Sequence, residues 1–423
     1  MKKNKNLDKL NFQILILTLW IILWFPQLQF KYELKLEQLL SLVSFSICVF
    51  SLIILKKKIK LKHIFIIALF LLLLLISLLR NSLENIILND FFELFKPFYL
   101  GAYFLISYSI NWDILKIKKI ISHLIFCLFL LCLFGYFESL TTLGNNIGHF
   151  LYKDLRPGVQ YKAVASFISP YVFASILLIP TFIYFSNLFI NFNLSNILYF
   201  IFFLTGFLLT QSRTVFLAFI ITIILYTFYV AFSNKYLGKR NYIGFIIITF
   251  ILSSILTPFI ILFIQNYLPY LYSGLNVLFS NIINFELERF VNSSPSISHR
   301  YYQLEFVINK IDFIPIFGVG IGKADLMPES FYALYLYRVG IIGLFIHLSF
   351  IFYSFYKSGY LANYFKHDKR LHCIFIGLQM YFLSLPFSYA SSALNDQVRS
   401  GFIFYLLFGL LIKYNPNNIK EVG

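Results

Sequence analysis

The chain has 423 residues, 59% of them hydrophobic and only 13% charged, with a mean hydropathy of +0.78. A soluble domain carries about 25% charged residues, so a soluble fold is excluded. The net charge of +17 does not imply a nucleic-acid partner. The basic residues sit in short loops between apolar runs, as the positive-inside rule distributes them, and contact with anionic lipid headgroups accounts for the excess.

Apolar runs of roughly 20 residues recur along the chain, each long enough to cross a ~30 Å hydrocarbon core. They do not alternate apolar and polar residues as barrel strands do. The fold expected is an all-α polytopic membrane protein with about 12 transmembrane helices. Span one is placed near 12–30, behind the basic Met1-Lys-Lys-Asn-Lys terminus, and reads as a retained span. Span two lies near 37–55. Lys56-Lys-Lys-Ile-Lys-Leu-Lys62 is the strongest cytoplasmic marker. Span three covers about 63–80 and span four about 90–110, where Glu93 and Lys96 share a helix face and can pair.

Lys116, Lys118 and Lys119 return the chain to the cytoplasm before span five, near 120–138. A Gly- and Asn-rich outer loop follows and ends in Arg156-Pro157-Gly158. Span six is placed near 163–187, with kinks expected at Pro170 and Pro180. Span seven, near 197–210, meets Thr210-Gln211-Ser212-Arg213-Thr214, a polar punctuation with no room for a loop. Spans eight and nine lie near 214–232 and 242–264. A long polar segment, 265–328, precedes span ten near 329–355, span eleven near 372–390 and span twelve near 400–414. The chain thus divides into spans one to nine (1–264), one long outer, periplasmic loop with an amphipathic helix (265–328), and spans ten to twelve (329–423). Both termini are expected in the cytoplasm.

Cys48, Cys127, Cys132 and Cys373 all lie inside apolar runs and read as small buried hydrophobes. No disulfide, metal site or cofactor is expected. The residues that stand out are arginines: Arg156, Arg213, Arg300, Arg338 and Arg399 all map to the outer half. A guanidinium presents a rigid fork of donors that fits phosphate oxygens two at a time, so several converging above a membrane cavity suit a lipid pyrophosphate. The competing reading is separate headgroup contact by each. Arg338 sits inside Phe331-Tyr-Ala-Leu-Tyr-Leu-Tyr-Arg-Val-Gly, where a charge is expensive and faces a cavity or a partner. Glu329 and Asp325 are the partners nearest in sequence.

Glu329, just after Pro328, either complements a helix dipole in the first turn of span ten or acts as a general base on a sugar hydroxyl. His299-Arg300 opens a helix whose Tyr301, Leu304, Ile308 and Ile311 form an apolar stripe, suited to lying flat on the membrane. Gly318-Val-Gly320-Ile-Gly322 lacks the strand–helix context of a nucleotide loop and reads as a tight turn before span ten.

Together these features resemble the O-antigen polymerase and O-antigen ligase superfamily of bacterial envelope glycan enzymes. The resemblance rests on about twelve spans, the Thr-Gln-Ser-Arg-Thr element, and one long late outer loop. That loop carries a Ser298-x-Arg300 helix and Pro315 with Phe317-Gly318-Val-Gly320; the Arg338-Val-Gly-Ile-Ile-Gly of the next span follows. It implies that Arg213 and Arg300 bind a lipid-linked pyrophosphate, and Arg338 and Arg156 join the same proposed set. It implies Glu329 as the catalytic base, with Arg300 beside it, at the place where ligases carry a histidine; that departure favours the polymerase branch. The implied reaction is metal-independent glycosyl transfer at the outer face of the bacterial inner membrane. Undecaprenyl-pyrophosphate-linked repeat units serve as donor and acceptor, membrane lipids surround the protein, and a chain-length regulator is a partner. The alternatives are transfer to lipid A–core by a ligase, and flipping of a lipid-linked oligosaccharide by a transporter.

Overall fold

The computed structural model describes residues 2–26, 36–55, 61–80, 91–152, 161–167, 169–233, 261–262, 265–283, 295–310, 316–320 and 328–416. Among them every regular element is helical: α1 (Lys2–Trp24), α2 (Leu36–Leu55), α3 (Leu61–Arg80), α4 (Phe91–Ser109), α5 (Ile114–Leu140), α6 (Thr142–Leu151), α7 (Pro170–Ile190), α8 (Leu194–Leu209), α9 (Arg213–Ser233), α10 (Pro269–Ile283), α11 (Pro295–Lys310), α12 (Phe331–Tyr364), α13 (Lys369–Ser388) and α14 (Val398–Lys413). Six of these are long and apolar enough to cross a membrane: those of residues 6–24, 114–140, 170–190, 213–230, 331–364 and 369–388. All of the expected span nine except residues 261–262 lies outside the described residues.

The bundle centres on α13, which packs against α7, α9 and α12, while α14 packs against α4. In lipid the apolar effect does not drive helix association, so close approach and packing must. Gly377 of α13 supplies that approach: a Cβ there would meet the Ile183 backbone nitrogen of α7 at 2.6 Å. Large apolar side chains such as Phe50, Phe126, Phe228 and Phe345 stay exposed. Scattered over long apolar helices, they read as a lipid-facing surface.

Two polar ends frame the bundle. At one, Lys118 meets Asp368 at 2.6 Å, Arg370 donates to Ser122 at 2.8 Å, and Lys116 reaches Asp8. Lys116 and Lys118 are among the residues read as cytoplasmic from the charge pattern. At the other lie Lys96, Arg213, Arg300, Glu329 and Asp396, reached by following α4, α5 and α7 along their lengths.

Several expectations are corrected. Pro170 does not kink a span; it starts α7 behind Ser169, where its missing N–H costs nothing. Pro180 alone lies inside that helix. Residues 161–167 instead form a non-helical elbow. The expected Glu93–Lys96 pair is not among these corrections, because the Glu93 side chain falls outside the described residues; Lys96 meets Asp396 at 2.8 Å. Helix α12 is 34 residues long and is broken at Gly340 (φ 64°, ψ −167°).

That break explains the glycines of the preceding segment. It strands the Tyr337 and Arg338 carbonyls, and Val319 N–H (2.6 Å) and Gly320 N–H (3.1 Å) donate to them. The Phe317–Gly320 stretch is therefore the seal on a helix break and not a free turn; Gly322 lies outside the described residues. Gly318 has φ 69°, and a Cβ there would stand 2.7 Å from backbone atoms of Tyr337, Arg338 and Gly340. Gly318→Ala is expected to destabilise the protein by about 3 kcal/mol, since the backbone cannot relax around both the clash and the left-handed φ. Thermal unfolding in detergent checks it.

Candidate functional site

Helix α8 ends at Leu209 and α9 begins at Arg213. The reversal is made by Gln211, whose φ of 53° is left-handed, so the chain turns without a loop, as the polar punctuation suggested. This fixes Arg213 at the first turn of α9. Its Nε and Nη2 donate to the Tyr270 carbonyl of α10 at 3.1 and 2.6 Å, and its guanidinium lies 3.8 Å from the Tyr270 ring centroid. The packing needs Gly274: a Cβ at that position would fall on the Arg213 side chain.

A second cation meets the same ring. Lys162, on the elbow before α7, places its ammonium 3.6 Å from the Tyr270 centroid and is only 9% exposed. Burial, and then the Arg213 charge, push its pKa down to about 8.

Arg300 enters from α11. Its Nη1 donates to Thr214 Oγ1 at 3.4 Å, the residue after Arg213. The structure therefore brings Arg213 and Arg300 together across the α9 N-terminus. One turn further, Gln303 is fully buried and its Oε1 accepts from the Glu329 backbone N–H at 2.9 Å. Arg300, Gln303 and Glu329 thus follow one another along one face. Val307 continues that face against Ala333 and Tyr337. The stripe read from sequence points the other way, for Tyr301, Leu304 and Ile308 are all exposed, as on a helix lying against lipid; Ile311 is outside the described residues.

Glu329 is exposed and precedes the helix cap Ser330, which accepts from Ala333 N–H at 3.2 Å. It is not in the first turn of α12, so the helix-dipole reading is corrected.

Arg338 stands just before the α12 break. It is buried and faces Asp396, Nη1 to Oδ2, at 3.8 Å. The pairing expected with Asp325 lies outside the described residues, as does Arg156. Arg399 is turned inward, donating to the Phe25 carbonyl and lying 5.7 Å from the Tyr152 ring. Of the four arginines among the described residues, Arg213 and Arg300 meet at Thr214, while Arg338 faces Asp396 and Arg399 faces Phe25 and Tyr152. Sequence reasoning missed Lys162, Tyr270 and Asp396; Asp396 sits in the polar Asn395-Asp396-Gln397 stretch between two apolar runs and reads there as an ordinary loop residue.

Behind Asp396 lies a buried polar network. His347 Nε2 stands 3.0 Å from the Tyr389 hydroxyl and 3.2 Å from Asn395 Nδ2, enclosed by Phe331, Tyr335 and Phe404 rings. Among the described residues no three His, Cys, Asp or Glu side chains come together as a metal site, and the four cysteines are free and buried.

These features define a polytopic helical membrane protein with a cationic, carboxylate-flanked site at one end of its bundle. Residues 198–348, which carry Arg213, Arg300, Glu329 and Arg338, match the O-Antigen ligase family over somewhat more than a third of the chain. This match supports the O-antigen polymerase and ligase superfamily, whose members are membrane glycosyltransferase-like enzymes of envelope polysaccharide synthesis. No curated protein and no solved structure matches the chain.

If Arg213 acts from its seat on α10, disturbing that seat should matter. Gly274→Ala is expected to lower glycosyl transfer by about 100-fold, because displacing a positioning group by an ångström costs that much. The unfolding temperature is expected to hold, since only the end of a flexible side chain must move. Paired activity and melting measurements check both halves.

Proposed function

We propose that the protein polymerises undecaprenyl-pyrophosphate-linked repeat units into an envelope polysaccharide at the outer face of the bacterial inner membrane. The observation that carries this reading is the juxtaposition of Arg213 and Arg300 across Thr214, inside the segment that matches the family. Two guanidiniums at a helix N-terminus suit an anion bearing two phosphates.

In this reading the donor glycan leaves undecaprenyl pyrophosphate. The bond from its anomeric carbon to the pyrophosphate oxygen breaks, and a bond to an acceptor hydroxyl oxygen forms. Glu329 takes the proton from that hydroxyl. The charge that develops on the departing pyrophosphate is stabilised by fixed guanidiniums. Arg338 and Arg156 belong to the same proposed set. Arg338 already faces Asp396, so it contributes less to an incoming anion, and the pyrophosphate contact falls mainly on Arg213 and Arg300. Because the arginines carry the charge, we infer that the enzyme is metal-independent. Full activity in excess chelator is the expected result; loss restored by a divalent cation would overturn it.

The family's description favours a second reading, transfer of finished glycan to lipid A–core. Glu329 in Pro328-Glu329-Ser330 favours polymerisation. The deciding experiment is the polysaccharide ladder of a strain lacking the gene. A single repeat unit left on lipid A–core supports the polymerase. Bare core, with long glycan still on undecaprenyl pyrophosphate, supports the ligase. Repeat units trapped on the inner leaflet would overturn both readings in favour of a flippase.

A further inference from the structure

The elbow between α6 and α7 is held in a costly shape. Tyr161 (φ 55°) and Ala165 (φ 51°) are both left-handed, a conformation that residues with side chains persist in only when surroundings over-determine it. Three ties do so. Glu138 of α5, fully buried, accepts from Val164 N–H at 2.7 Å and Ala165 N–H at 2.8 Å through one oxygen. Ala163 N–H donates to the Leu209 carbonyl at 3.1 Å, and Tyr161 N–H to Asn145 Oδ1 at 3.3 Å. The second tie fastens the elbow to the end of α8, two residues before the turn that aims Arg213.

What the elbow delivers is Lys162. Its ammonium is withdrawn from solvent and set against the ring that also carries Arg213. Among the described residues no carboxylate forms an ion pair with it. Burying an ammonium costs free energy unless an opposite charge offsets it, and placing a second cation beside it adds to that cost. Strain, burial and like-charge approach are all spent to hold one lysine at this spot. A structural role would be served as well by a neutral side chain. An anion held between Lys162 and Arg213 would offset all three costs.

We propose that Lys162 is a phosphate-binding residue of the donor site, and that Glu138 positions it by clamping the elbow. The ligand class is a diphosphate ester. The assignment rests on the reading of Arg213 and Arg300 as the pyrophosphate site and adds a third cation to it. The three divide the work by chemistry: the guanidiniums supply fixed forks, and the ammonium supplies a compact charge with rotatable donors.

The test is calorimetric binding of inorganic pyrophosphate to the purified full-length protein in detergent, near neutral pH. Lys162→Met keeps the apolar stem over the Tyr270 ring and removes the charge. It is expected to weaken binding about tenfold or more, as loss of a charged hydrogen bond does, and Lys162→Arg is expected to restore most of it. Glu138→Ala is expected to weaken binding in the same direction, and Lys162→Met added to it to cost little more, because the two act as a unit. A merely structural Glu138 would give independent, additive losses and would overturn its positioning role. If Lys162→Met binds pyrophosphate like the wild type while Arg213→Ala does not, the Lys162 assignment fails and the donor-site reading stands. If neither variant changes binding, the donor-site reading itself fails.

Discussion

Replacing Arg213 by alanine is expected to lower repeat-unit coupling by about 1,000-fold with the protein still folded. Removing one fixed donor from a developing anion costs about 100- to 1,000-fold, and Arg213 offers a charged fork that Arg300 alone cannot replace. The fold should tolerate the change because the side chain's described partners are the Tyr270 carbonyl and ring and the Ser273 hydroxyl, all on α10. Arg213→Lys is expected to recover little, since an ammonium lacks the planar fork. A second signature separates a charge effect from a packing effect. Burial first, and the Arg213 charge second, hold Lys162 down to about 8 from an ordinary 10.5. An ammonium is charged below its pKa, so rising pH discharges it. Activity toward an anionic donor, read as kcat/KM, is therefore expected to fall as pH passes about 8. In Arg213→Ala the second cause is gone and the first remains, so the alkaline limb of the residual activity should move upward, though not to the ordinary lysine value. An unchanged limb would show that the two cations do not feel one another.

How much of this was legible beforehand follows from what the lipid does to sequence signals. A span announces itself locally, because every backbone group must be satisfied within the helix and the side chains must be apolar. The apolar runs therefore located most helices, and the Gln211-Ser212 turn was visible as polar residues with no room for a loop. Which face of a span meets protein is another matter. Lipid and core are both apolar, so the helix carries no amphipathic mark, and no pattern in α7 or α9 revealed that Lys162 and Arg213 share the Tyr270 ring. Helix α11 was legible on one side only. Its apolar stripe of Tyr301, Leu304 and Ile308 read as a membrane-facing surface and is exposed, whereas no pattern marked Gln303 and Val307 as its buried face. The Gly340 break was hidden because Arg338-Val339-Gly340-Ile341 reads as continuous span. Its partner, the Phe317–Gly320 seal, becomes meaningful only once the stranded carbonyls are seen.

Asp396 is where the largest loss of stability is expected. It closes the short 3-10 turn Leu394–Asp396 between α13 and α14, and its side chain joins elements far apart in sequence. Lys96 of α4 lies 2.8 Å from Oδ2, Arg338 of α12 lies 3.8 Å from the same oxygen, and the Tyr335 hydroxyl donates to Oδ1 at 3.5 Å. The Tyr99 hydroxyl adds a bond to its backbone carbonyl at 3.3 Å. Two cations thus meet one carboxylate in a region that is 13% exposed at Asp396 and 10% at Arg338. Taking away one partner of such a group costs about 3–5 kcal/mol, because the charges left behind are poorly solvated. Asp396→Ala is accordingly expected to lower the unfolding temperature sharply in detergent and to reduce the amount of protein in the membrane. Asp396→Asn keeps the shape and an acceptor for Tyr335 and should lose less. Lys96→Met in the Asp396→Ala background removes one of the two cations that lose this carboxylate and is expected to recover part of the loss, which simple loss of packing at Asp396 would not allow. Equal stability of Asp396→Ala and the wild type would mean that Lys96 and Arg338 are held by other groups and that the carboxylate does not tie α4, α12 and α14 together.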